Sequence, residues 1–154
     1  MAENNPRYAI CVATFYEDLA EKLVNGAKTG FAEGGVDAGD IDVHEVPGAF
    51  ELPLAALTCI ESGRYEGVAC LGVVIRGETS HYDHVCNEAA RGIMDVSLMS
   101  SIPVAFGVIT CENRAQAEAR TGGDKRDQGR NAAKAVLQMA AMRRELLEND
   151  DRDA

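Results

Sequence analysis

Short apolar runs rich in β-favouring residues alternate along this chain with segments whose apolar residues recur every three or four positions, and such an alternation permits few architectures. Residues 8–14 (YAICVAT) form the first run. Past Phe15 the spacing changes to Leu19, Leu23, Ala27 and Phe31, one face of a helix, with Glu17 and Asp18 in its first turn and Gly34-Gly35 at its end. Ile41–Val46 reads as a second strand, Pro47-Gly48 as a turn, and residues 49–62 as a helix closed by Gly63. Gly67–Ile75 is nearly all apolar, as a strand buried on both faces should be. A helix over 82–99 sets Val85, Ala89, Ile93 and Val96 on one face. A strand at 103–109, a short helix over Arg114–Arg120 and a long helix over 131–147 complete the pattern. Residues 121–130 (TGGDKRDQGR), rich in Gly and charge, read as the loop between the last two helices.

Strands joined by helical crossovers imply a parallel sheet covered on both faces, with right-handed connections. The expected class is α/β: a three-layer α/β/α sandwich on a four-stranded parallel sheet. With 154 residues, 46% apolar and 26% charged, the chain suits one domain spanning 1–154, with flexible ends at 1–6 and 148–154. The apolar runs stop well short of the roughly 18 residues a membrane span needs, and the Met-Ala-Glu-Asn-Asn-Pro opening does not resemble a signal peptide. The expectation is a soluble cytoplasmic protein. A net charge of −10 and a pI near 4.7 argue against nucleic acid and anionic lipid as partners. Cys11, Cys59, Cys70, Cys86 and Cys111 are odd in number and form no C-x-x-C pair, so they read as reduced, mostly buried thiols rather than a disulfide framework or zinc site.

In an open parallel sheet, ligands bind beyond the carboxyl ends of the strands, where loops and helix N-termini converge. Four segments qualify: Thr14-Phe15, residues 47–51, residues 76–81, and whatever follows Phe106 on the fourth strand. In the third, Gly77 allows a tight turn, and the amides of Glu78, Thr79 and Ser80 lead into a helix, an arrangement suited to a phosphate or carboxylate. His81 stands beside it, able to exchange a proton near neutral pH. The same residues equally suit a plain helix start, capped by Thr79 or Ser80, with His81 solvated. His81 and His84 lie i, i+3 apart, but no third metal ligand is evident. Cys86 as a nucleophile is a weak signal, since adjacent helix positions point in different directions. Glu51 opens another helix and suits its dipole. Phe15, Phe50 and Phe106 near strand ends suggest a flat ligand, although each alone suits a core. Arg120 fits either a partner for its own helix C-terminus or a phosphate clamp.

Three long motifs, VPGAFELPLAA, GVVIRGETSHYDHVCNEAARGI and IPVAFGVITCEN, resemble in content and order those of the 6,7-dimethyl-8-ribityllumazine synthase family, over nearly the whole chain from Tyr8 to the last helix. The resemblance implies a flavodoxin-like fold and a transferase of riboflavin biosynthesis. Its reaction condenses 5-amino-6-(D-ribitylamino)uracil with 3,4-dihydroxy-2-butanone 4-phosphate, releasing phosphate and water, without metal or cofactor. It also implies His81 as the proton-transfer residue. Phe15, Ala49, Phe50, Glu51, Val73, Val74, Ile75 and Phe106 would hold the ribitylaminouracil. Glu78, Thr79 and Arg120 would hold the butanone phosphate, with Phe106 and Arg120 coming from a neighbouring subunit. Implied partners are further copies of the chain, as a pentamer or a multiple of pentamers up to an icosahedral shell, and riboflavin synthase.

Two departures stand out. Thr14 occupies the place where many members carry arginine, and Gln128 precedes Gly129 where lysine is usual, so positive charge near the phosphate is thin unless Lys125 or Arg126 substitutes. The same departures motivate an alternative, a flavin- or lumazine-binding or shell-forming protein with weak catalysis. A flavodoxin-like electron carrier is disfavoured, because no Ser/Thr-rich phosphate loop follows the first strand.

Overall fold

The computed structural model describes residues 5–122 and 125–148. Gly123 and Asp124 of the expected loop, and most of the two ends expected to be flexible, lie outside the described residues. The elements run β1 (Tyr8–Ala13), α1 (Glu17–Glu33), β2 (Ile41–Val46), α2 (Leu52–Glu61), β3 (Gly67–Ile75), α3 (His81–Ser100), β4 (Val104–Cys111), α4 (Arg114–Arg120) and α5 (Gln128–Arg143). Two 3₁₀ turns, Ala38–Asp40 and Ala49–Glu51, lead into β2 and α2, and a π turn, Arg144–Glu148, follows α5.

All strand pairs are parallel, in the order β2-β1-β3-β4. The chain leaves β1 in one direction to reach β2 and crosses back over it to reach β3, so α1 and α2 must lie on opposite faces if both crossovers are right-handed. The side chains obey this. On β1, Tyr8, Ile10 and Val12 enter one core with Leu19, Leu23 and Phe31 of α1 and Val136 of α5. Ala9, Cys11 and Ala13 enter the other, with Leu52 and Cys59 of α2 and Val85, Ala89 and Ile93 of α3. β3 is buried from Gly67 to Val73, as its composition predicts.

The helix α5 packs closely on α1. A Cβ on Gly129 would collide with the Leu23 carbonyl oxygen, and one on Gly30 would sit 2.7 Å from the Arg130 carbonyl oxygen. Small residues here allow backbone-to-backbone contact that a side chain would prevent. Gly35 (φ 90°) and Gly63 (φ 73°) end α1 and α2 in left-handed turns.

Most boundaries fall within a few residues of the sequence pattern, and two of the differences have a visible cause. The helix α5 begins at Gln128 rather than 131, because the Asp127 carboxylate accepts the Arg130 amide and caps it there. The strand β4 extends to Cys111 rather than 109, because its register with β3 continues to the pair Ile75 and Cys111.

Candidate active site

Between β1 and β3 the chain's crossovers diverge, and the crevice beyond the carboxyl ends of these strands is the place such a sheet offers a ligand. A cavity of about 650 Å³ lies there. Three neighbouring backbone segments build its walls. At the end of β1, the Thr14 amide (3.0 Å) and hydroxyl (3.3 Å) both donate to the Val46 carbonyl, tying the exits of β1 and β2 together. Phe15, the next residue, is left 74% exposed, with its ring edge-on to Tyr16 at 4.9 Å. After β2, the Glu51 carboxylate accepts the Gly48 amide at 3.0 Å, closing the turn that carries Ala49 and Phe50. Val73, Val74 and Ile75 of β3 form the floor.

The turn after β3 supplies the third wall. The Arg76 amide makes the last sheet bond, to the Cys111 carbonyl at 2.9 Å. Thereafter the chain turns into α3, where the Thr79 hydroxyl accepts the His81 amide at 3.2 Å. Among the described residues, no group accepts the amides of Gly77, Glu78, Thr79 or Ser80. Four free donors at the positive end of a 20-residue helix make a good anion seat. Thr79 and His81 line the cavity, as do His84 and Tyr82. The helix-cap reading therefore does not use up the turn: the Thr79 side chain caps one amide and leaves the preceding four without an acceptor.

Arg76 does not supply free positive charge here. Its Nε donates to both Glu112 oxygens at 3.0 Å, its Nη1 lies 3.4 Å from Asp83, and its guanidinium stacks 4.2 Å from the Tyr82 ring centre. The Glu112 carboxylate holds the guanidinium pKa above its ordinary value. Arg76 therefore braces the turn against the loop after β4. Among the described residues, no Lys or Arg lines the cavity. Cys86 is half-buried, and burial pushes its thiol up, so it stays protonated near neutral pH. Among the described residues, no group of three or more His, Cys, Asp or Glu gathers as a metal would require.

Of the residues singled out from the sequence, Phe15, Ala49, Phe50, Glu51, Val73, Val74, Ile75, Thr79 and His81 are brought together around this cavity. Glu78 is exposed and does not line it. Phe106 does not stand at the carboxyl end of β4: it pairs with Cys70 near the strand's start and is 39% exposed on the sheet edge. Arg120 is also absent from the cavity of its own chain, and its Nη1 donates to the Gln116 carbonyl at 2.9 Å, completing the last turn of α4. Phe15 and Phe50 are exposed, against the core placement each suggests alone. Tyr16, Tyr82 and Val85 join the lining without any signal in the sequence beyond adjacency to Phe15, His81 and the α3 core face.

The family model described as 6,7-dimethyl-8-ribityllumazine synthase matches residues 5–144, all of the sheet and every helix but the final turn. A four-stranded parallel sheet between helical layers, and a cavity at its switch point carrying the motif residues, agree with that match. The chain therefore belongs to the 6,7-dimethyl-8-ribityllumazine synthase family, transferases that make the lumazine intermediate of riboflavin biosynthesis.

Proposed function

We propose that this cavity holds 5-amino-6-(D-ribitylamino)uracil and 3,4-dihydroxy-2-butanone 4-phosphate together, and that His81 moves protons between them. The observation carrying the reading is the juxtaposition of two unlike half-sites. A row of unused amides at the start of α3 suits a phosphate. The exposed Phe15 ring and the Val74-Ile75 strand end suit a flat pyrimidine. His81 stands where the amide row meets the cavity.

Chemically, the uracil amine attacks the butanone carbonyl and water leaves to give an imine. Loss of phosphate from the imine gives an enol-type product, and ring closure with loss of water yields the lumazine. Each step moves a proton, and an imidazole near neutral pH serves in both directions, contributing about 100-fold or more. Holding two substrates in reacting geometry supplies much of the rest.

The amide row seats a phosphate but leaves most of a dianion's charge unneutralised, and among the described residues no Lys or Arg lines the cavity of one chain. This supports a site completed by another copy of the chain, with Arg120 and Phe106 crossing a subunit boundary. Arg120 ends α4 half-buried, with one guanidinium nitrogen on the Gln116 carbonyl. Exposed Leu98, Met99 and Met94 on α3, with Met139 and Met142 on α5, leave apolar surface suited to such an assembly. A pentamer, or a multiple of it, is the proposed form. Thr14 favours a second reading, a lumazine- or flavin-binding protein with weak catalysis, because its hydroxyl is committed to Val46 and adds no charge.

Mixing the two substrates with wild type and His81→Ala, and following lumazine fluorescence, separates the readings. The synthase reading expects a rapid wild-type rate that falls by about 100-fold in the variant. A wild-type rate at the buffer background would refute it in favour of the binding protein.

A further inference from the structure

Away from the cavity, three cysteines converge between the sheet and α2. Cys11 of β1 and Cys70 of β3 are register partners, and both enter the core that Cys59 of α2 shares. The Cys11 and Cys59 sulfurs stand 3.6 Å apart. Cys11 is fully enclosed, whereas Cys59 keeps 8% of its surface exposed and borders a separate cavity of about 420 Å³, lined also by His44, Arg64 and Tyr65. A small reagent entering there meets Cys59 first.

We propose that Cys11 and Cys59 form a modification site, a dithiol that a small peroxide oxidises to an intramolecular disulfide, with Cys59 the attacking and Cys11 the resolving sulfur. The Cys59 thiolate attacks one peroxide oxygen, the O–O bond breaks, and the departing oxygen leaves as water after taking a proton. Cys11 then attacks the sulfenic sulfur and displaces a second water. Two thiols lose two electrons and two protons, and one hydrogen peroxide becomes two waters. Access sorts the pair for these roles: Cys59 faces the cavity and Cys11 is enclosed behind it. Either thiol can donate across the 3.6 Å contact, and the nearby Arg64 cation favours the thiolate at Cys59.

Closure has a direction. A disulfide brings sulfurs to about 2.05 Å, so the two sulfurs must close by about 1.5 Å, shared between side-chain rotation and approach of β1 and α2. Both elements end at the substrate cavity: β1 runs into Phe15, and α2 starts directly behind Ala49, Phe50 and Glu51. Whatever part of the closure the backbone takes up moves the β1 and α2 walls relative to the β3 floor, although Cys59 lies seven residues from the cavity end of α2. The expected loss of turnover rests on the cavity reading above; formation of the cross-link does not.

The test treats the native full-length protein with a modest excess of hydrogen peroxide, blocks remaining thiols and maps peptides without reduction, measuring turnover on the same samples. The expected result is a Cys11–Cys59 linked peptide lighter by two hydrogens, with turnover reduced about tenfold or more and restored by a thiol reductant. Cys59→Ser and Cys11→Ser should each abolish the link and keep their turnover under peroxide. The proposal is overturned if native protein leaves both thiols open to the blocking reagent while the more exposed Cys86 is oxidised. A link that forms without altering turnover overturns the coupling to the cavity. Untreated wild type in the same assay reports on the synthase reading separately, so failure of one is not mistaken for failure of the other.

Discussion

Replacing Gly129 by alanine sets two effects of opposite sign against each other. Alanine is the better helix former, by up to about 1 kcal/mol in a helix interior and less at the second residue of α5, so propensity alone predicts a more stable α5. Sterics predict the reverse. A Cβ at Gly129 would lie 2.9 Å from the Leu23 carbonyl carbon and 3.1 Å from the Ala27 nitrogen, in addition to its collision with the Leu23 oxygen. These are backbone atoms of α1, so no rotamer change relieves the clash; the two helices must part. They are held together close by: Gly30 faces the Ala133 Cβ, which would be 2.9 Å from an added methyl, and the Arg130 fork grips Glu33 with two bonds of 2.7 Å. Overpacking of a filled core costs about 1–3 kcal/mol, and a backbone obstacle puts this site in the upper half. The net loss is about 1–2 kcal/mol, or roughly 2–8 °C in Tm for a chain of this size. Urea and thermal unfolding at fixed protein concentration would measure it, since assembly links stability to concentration. Gly39→Ala is the control: an added Cβ there meets nothing within 4 Å, and the change should be neutral or stabilising. A Gly129→Ala protein as stable as wild type would refute the steric argument.

Tyr65→Phe removes a hydroxyl that donates to Asp42 at 2.6 Å and lies 3.0 Å from His44 Nε2, and should cost about 1–2 kcal/mol at neutral pH. The Tyr65 hydroxyl, followed by Arg7, holds the Asp42 carboxyl below the usual carboxylate range. Its stabilisation is therefore present above about pH 4 and lost as pH falls through the lower folded value; the variant's acid unfolding curve should be shallower, and an unchanged acid limb would refute the assignment. Phe15→Ala should leave thermal stability unchanged, because the ring is exposed, yet weaken a ribitylaminouracil analogue by about 1–3 kcal/mol in a calorimetric titration. Arg76→Met should raise KM for the butanone phosphate with little change in Tm, since the Arg76–Glu112 pair is solvated and its value lies in orienting the turn; an unchanged KM would count against that role.

What could be read from the sequence was local. The strands Ile41–Val46 and Gly67–Ile75 and the helix Arg114–Arg120 fall where composition and spacing put them, because period-two and period-3.6 patterns are written within a few residues of one another. The turn that leaves backbone amides unused beside His81 was legible for the same reason: Gly77, the short polar run and His81 are contiguous. Where pairing with a distant segment decides, local pattern misled. The strand β4 runs through Thr110 and Cys111 because β3 continues alongside it, and so Phe106, expected at a strand's end, lies near its beginning. Arg120 reads equally well as phosphate clamp or helix cap, and within one chain the fold selects the cap. The cavity itself depends on strand order. Phe15, Phe50 and His81 are far apart along the chain and become neighbours only because β1 lies between β2 and β3, which a crossover of β2 to β3 over β1 decides. The contact of Cys11 with Cys59 has the same origin, two unremarkable thiols placed 3.6 Å apart by the packing of a helix on a sheet. Periodicity is a property of neighbours in sequence, whereas a site is a property of neighbours in space, and the long-range strand pairing that converts one into the other leaves no local mark.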